Sequence, residues 1–215
     1  MMAAHMNVNA DANPQPNKAY LYVLLSHTGT MVTRMFKLFT KAPYNHATLA
    51  FDAELNELYS FGRRTARNPL NAGFVQEDVY EGTYRHFRKT SCKVLRLEVT
   101  AEQKAAVADA IKVIERNKAS FAYNYIGLLG VLLNRDLKID NAYFCSQFVA
   151  EALLQGGVKL WDSKPTALVT PDDFRQHSDM EVLYTGGLYD YPELDAGKLY
   201  QANIYTTRTA ALKVN

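Results

Sequence analysis

Cys145 opens the stretch Cys145-Ser146-Gln147-Phe148-Val149-Ala150-Glu151-Ala152-Leu153-Leu154-Gln155, with Tyr143 and Phe144 before it and Gly156-Gly157 after it. A cysteine at the first turn of a helix faces unpaired backbone N–H groups and the positive end of the dipole. Both favour the thiolate, and the same N–H groups can receive a developing oxyanion. That chemistry is nucleophilic acyl transfer, and it requires a base. The competing reading is packing: Phe148, Val149, Ala152 and Leu153 form an apolar stripe, Cys145 falls on its side, and free cysteine is among the most buried residue types. Spacing alone favours packing.

Five histidines are candidates for the base. His5 lies in a polar N-terminal stretch, His86 sits among Tyr84, Arg85, Phe87, Arg88 and Lys89 in what reads as an exposed basic turn, and His177 follows a short helix. His27 and His46 remain, both at strand ends. Taken singly, either is accommodated as an imidazole hydrogen-bonded at a sheet edge.

The elements that must position these groups are legible from periodicity. Tyr20–His27 is an apolar, aromatic-rich run that suits a buried strand. Met31, Val32, Met35, Phe36 and Phe39 recur at helical spacing over 30–40. Asn45–Asp52 alternates, with Ala47, Leu49 and Phe51 on one face and His46, Thr48 and Ala50 on the other; Glu57–Gly62 returns as its hairpin partner. Residues 63–78 carry Asn68, Pro69, Asn71 and Gly73 and read as a long excursion with a short strand at Phe74-Val75. Ser91–Val99 alternates again. Thr100 with Gln103 has the form of a capping box ahead of a helix over 101–118. Residues 125–133 are apolar all round but too short to cross a bilayer. Thr170-Pro171-Asp172-Asp173 starts a further helix, and late strands are expected near 181–184 and 202–206. The expectation is one α+β domain over 19–215, with antiparallel strand pairs and packed helices, preceded by a flexible tail over 1–18.

The chain has 215 residues, 48% of them hydrophobic and 21% charged, with a formal net charge of +2. That is globular in composition and too mildly basic for a general nucleic-acid partner. Two cysteines, Cys92 and Cys145, make no disulfide framework. With no apolar run of secretory type in the first eighteen residues, they suggest a cytoplasmic location. Cys92 reads as a packing residue. The clusters Arg63, Arg64, Arg67 and Arg85, Arg88, Lys89 read as solvated faces, although they leave contact with an anionic substrate or membrane surface open. No phosphate-binding glycine motif and no paired metal-ligand spacing occurs, so no cofactor or metal is expected.

Cys145-Ser146-Gln147-Phe148-Val149 resembles the nucleophile signature of NlpC-type papain-like cysteine hydrolases. Tyr44-Asn45-His46-Ala47-Thr48-Leu49 is similar to the histidine strand of that family. The histidine precedes the cysteine, an order similar to the circularly permuted branch, the YiiX-like proteins and the lecithin:retinol acyltransferase relatives. The resemblance covers roughly residues 20–158. It implies a permuted papain-like fold, Cys145 as nucleophile and His46 as base, and a peptide, isopeptide or lipid amide or ester as substrate. Hydrolysis is the first reading; lipid-directed acyl transfer and a binding module without catalysis are the alternatives. The resemblance also implies a polar residue on the next strand that orients the imidazole. In a hairpin centred near Glu54, Ser60 shares the face of His46 and takes that role; Glu57 or Tyr59 would serve only with the register slipped by one.

Overall fold

Six strands form one antiparallel sheet in the order β4-β3-β2-β1-β5-β8. Their spans are β1 Lys18–His27, β2 His46–Ala50, β3 Leu58–Thr65, β4 Asn68–Glu77, β5 Ser91–Thr100 and β8 Met180–Gly187. A two-residue parallel bridge joins β6 (Ala122–Tyr123) to β7 (Ala142–Tyr143). The computed structural model describes residues 17–28, 42–66, 68–124 and 142–206.

β1 lies inside the sheet because almost its whole length is apolar and can be covered on both faces: Leu21, Val23, Leu24 and Leu25 are fully buried. It pairs with β2, placing Ser26 opposite His46, and with β5 along ten residues. Alternation then divides the side chains. Leu21, Val23, Leu25, Ala47, Leu49, Phe51, Leu95 and Leu97 point to one side, where helices α2 (Ala101–Arg116) and α3 (Cys145–Gln155) cover them. Val107, Ile111 and Ile114 from α2 and Phe148, Val149, Ala152 and Leu153 from α3 complete that core. The other side buries Leu24, Ala50, Leu58, Val79, Tyr84, Cys92 and Val94 under the chain from Leu188 to Ile204. Each large apolar side chain sealed this way stabilises the fold by about 1.5–3 kcal/mol relative to exposure.

The capping box at the head of α2 is complete: Gln103 N–H donates to Thr100 Oγ1 at 3.1 Å, and Thr100 N–H donates to Gln103 Oε1 at 3.0 Å. Thr170 and Asp173 make the same reciprocal pair for α4 (Pro171–Gln176). β2 and β3 pair with Leu49 opposite Tyr59 and Ala50 opposite Leu58, so the hairpin is centred where its alternation places it.

Several expectations need correction. Residues 68–77 form a ten-residue strand, β4, paired with β3, where the turn formers suggested an excursion. β4 is the last strand of the sheet, and a proline that lacks an N–H donor is tolerated on an edge. The stretch around His86 is not a plain basic turn: α1 (Gly82–His86) carries Tyr84 inward, 2% exposed, while Arg85 and His86 face solvent. No strand forms over 202–206; α5 (Ala196–Gln201) ends there, with Ile204 tucked into the second core. β1 begins at Lys18, where the tail was expected to end, and Asn17 C=O accepts from Ala101 N–H at 2.8 Å. The helix expected over 30–40 and the apolar segment over 125–133 lie outside the described residues. Among the described residues no helix is long and apolar enough to cross a membrane.

Candidate active site

His46 is the first residue of β2, and Cys145 is the first residue of α3. α3 lies across β2 and β3 because its stripe of Phe148, Val149, Ala152 and Leu153 must be buried, and this puts its N-terminus at the start of β2. Phe144, the cap residue of α3, offers no side-chain acceptor. Gln147 supplies the reverse half of a capping box, its Oε1 accepting from Phe144 N–H at 3.4 Å. Asn124 Nδ2 donates to the same oxygen at 3.5 Å, and Ser146 Oγ donates to Val169 C=O at 2.7 Å. These buried contacts fix the first turn and therefore the sulfur.

The thiol of Cys145 and the imidazole of His46 are close enough to shift one another's pKa, although 99 residues separate them in sequence. The Ala47 and Ser146 backbone N–H groups also face the sulfur, and Asn45 C=O lies 4.0 Å from it. Cys145 is 5% exposed and the His46 side chain 22%, so the pair reaches the surface along the imidazole edge.

The other side of the imidazole is held by a residue absent from the sequence-based expectation. His46 Nε2–H donates to Glu77 Oε1 at 2.8 Å; a carboxylate only accepts, so Nε2 carries the proton and Nδ1 is the nitrogen left for the thiol. Glu77 is the last residue of β4, and its side chain is 13% exposed. Three hydroxyls also donate to it: Ser60 Oγ to Oε1 at 2.8 Å, Thr48 Oγ1 to Oε2 at 2.7 Å and Tyr84 OH to Oε2 at 3.0 Å. Ser60, expected against the imidazole, thus stands one step back and contacts the carboxylate. The β2–β3 register explains this, because extending it sets Thr48 across from Ser60 and leaves Gly62 across from His46. A Cβ on Gly62 would sit 3.2 Å from His46 Cε1, 3.2 Å from Glu77 Oε1 and 3.1 Å from Ser60 Oγ, so a residue without a side chain makes room for the pair.

Burial works against charge on all three groups, and their mutual contacts reverse it. For His46, burial acts to lower the pKa, but the Glu77 charge, the neighbouring Cys145 sulfur and the hydrogen bond to Glu77 raise it to about 10. For Glu77, burial acts upward, and the His46 charge with the hydrogen bonds from His46, Thr48 and Ser60 brings it down to about 2. For Cys145, burial also acts upward, yet the neighbouring His46 imidazole with its charge and the two backbone N–H groups leave the thiol below its ordinary value. The contacts thus favour the charged form of each group: thiolate at Cys145, imidazolium at His46 and carboxylate at Glu77.

Cys92 is the contrasting thiol: fully buried, it is pushed by burial up to about 12, as suits a packing residue. His27 ends β1 opposite Ser91, and His177 Nε2 bonds Leu160 C=O at 2.7 Å. Among the described residues Asn45 Nδ2, on the residue just before the histidine, is buried and has no hydrogen-bond partner. Among the described residues no three His, Cys, Asp or Glu side chains converge as metal ligands would. A groove of about 860 Å³ runs along α3 between Tyr143, Glu151, Trp161 and Thr166, and neither Cys145 nor His46 lines it. The signal that could have found Glu77 was the alternation Phe74-Val75-Gln76-Glu77, which the turn-forming residues before it obscured. Tyr84 had no such signal. No protein-family model, curated protein or solved structure matches the chain.

Proposed function

We propose that the chain is a thiol hydrolase of the permuted papain-like kind, acting on an amide or ester bond. The observation that carries this reading is one row of groups: a thiol at a helix N-terminus, beside an imidazole whose Nε2 is held at 2.8 Å by a buried carboxylate. Cys145 gives its proton to His46, and the thiolate attacks the substrate carbonyl carbon. The carbonyl oxygen becomes an oxyanion, for which backbone N–H groups at the start of α3 are the natural donors. Asn45 Nδ2, a buried donor with nothing to bond among the described residues, is a second candidate, since such groups are rare unless something completes them. Collapse of the tetrahedral intermediate breaks the C–N or C–O bond, and the imidazolium proton passes to the leaving amine or alcohol. Water then loses a proton to His46 and attacks the thioester, releasing the acid and restoring the thiol.

Glu77 keeps Nδ1 of His46 aimed at the sulfur and stabilises the imidazolium, the role a buried carboxylate has in a catalytic triad. The test is intact-mass detection of an acyl adduct after incubation with a mixed library of amides and esters. Wild-type chain is expected to gain an adduct that Cys145→Ala and His46→Ala do not form. A wild-type chain that gains none, with Cys145 alkylating like an ordinary thiol near pKa 8.5, would overturn the reading. Transfer of the acyl group to an added amine or alcohol in place of water would replace hydrolysis with acyl transfer.

A further inference from the structure

Glu77 has four acceptor positions, and four donors fill them in two pairs. His46 and Ser60 share Oε1; Thr48 and Tyr84 share Oε2. A carboxyl group turns about one bond, so whatever holds Oε2 also decides where Oε1 points. Tyr84 is the member of this set that does not come from the sheet. It reaches in from α1, and its hydroxyl also lies 3.4 Å from Thr48 Oγ1 and 3.5 Å from Ser26 Oγ. Ser26, Thr48 and Ser60 are fully buried, so water does not compete for these contacts.

We propose that Tyr84 is a positioning residue for the Cys145–His46 pair, acting through Oε2 of Glu77 to keep Oε1 on the imidazole. This rests on the reading of Cys145 and His46 as an ion pair and names the part of the fold that maintains it. The titratable groups facing one another here are Tyr84 from α1, Glu77 from β4, His46 from β2 and Cys145 from α3. Burial and the Glu77 charge raise the Tyr84 hydroxyl well above its ordinary range, so it stays a proton donor at every working pH. Without that hydroxyl the carboxylate keeps one donor on Oε2, gains freedom to turn, and loses part of its hold on His46; the thiolate then loses part of its partner.

The experiment follows the rate of Cys145 alkylation by iodoacetamide against pH, which reports thiolate without any substrate, with Cys92→Ser as the background. Tyr84→Phe is expected to move the midpoint upward by about half a unit or more, toward an ordinary thiol. In a Glu77→Gln background, where the carboxylate is already gone, the same change is expected to have no further effect. Thr48→Val removes the other donor to Oε2 with little change of shape. It is expected to shift the midpoint in the same direction, and it stands in if Tyr84→Phe does not fold. A depressed wild-type midpoint that neither variant moves, or a Tyr84→Phe shift of equal size with and without the Glu77 carboxylate, would overturn the positioning role alone. An ordinary midpoint in the wild-type background would overturn the ion pair and the positioning role together.

Discussion

His46 and two backbone N–H groups hold the Cys145 thiol below its ordinary value, and the share that depends on what stands behind His46 can be measured. Glu77→Gln leaves the shape of the site and removes the charge that raises the imidazole. Acylation by a reactive ester is expected to fall by roughly 10²–10⁴-fold, the scale on which the orienting carboxylate of a triad acts. Folding stability, read by urea titration, is expected to fall by about 1–3 kcal/mol, since hydrogen bonds among buried groups are disturbed. Gly62→Ala tests the room left for the pair: its methyl group would stand 3.1–3.2 Å from Ser60 Oγ, Glu77 Oε1 and His46 Cε1, so these side chains must give by a few tenths of an ångström. Acyl-adduct formation is expected to slow by about two- to tenfold, because misplacing a reacting group by about an ångström costs up to 10²-fold and this displacement is smaller.

The helices and strands that carry these residues differ in how plainly the sequence announces them. Thr100 with Gln103 marks the head of α2, and the alternation after Asn45 fixes both the start of β2 and the face of His46, because each signal is local. Thr100→Ala is accordingly expected to cost about 1 kcal/mol in stability while leaving the alkylation rate of Cys145 unchanged. Phe148→Ala is expected to cost about 3–5 kcal/mol, because that ring is fully buried against Phe61 and Phe74 beneath the sheet. β4 is not legible locally for a physical reason: Asn68, Pro69, Asn71 and Gly73 disfavour strands in isolation, and only pairing along β3 overrides them. Tyr84 was hidden by its basic neighbours, since one inward residue on a five-residue helix leaves no periodic trace. Cys145 and His46 could be singled out from types, spacing and resemblance, whereas Glu77 required knowing which strand lies beyond β3.

Taken whole, the molecule places a charged row at one end of a two-sided core, and its stability must follow pH accordingly. His46 titrates at about 10 in the folded chain against 6.5 when unfolded, so its contribution is complete below about pH 6.5 and disappears as pH rises through 10. Glu77 titrates at about 2 against 4.5, so its contribution is complete above about pH 4.5 and disappears as pH falls through 2. The urea midpoint is therefore expected to decline as pH falls below about 4.5, with that slope reduced in Glu77→Gln, whereas on the alkaline side the Cys145 thiol, held below its ordinary value, contributes stability as His46 loses it. One detail of topology sharpens this. Glu77 faces Leu58 at the open mouth of the β3–β4 hairpin, far from the bend between Thr65 and Asn68, and the sheet ends there. A margin strand frays from its mouth long before the interior melts. Tyr84, seven residues onward along the chain, bonds Glu77 at that mouth, so if it holds the mouth closed, amide exchange at the end of β4 should pace the loss of reactive sulfur while the central strands remain fully protected.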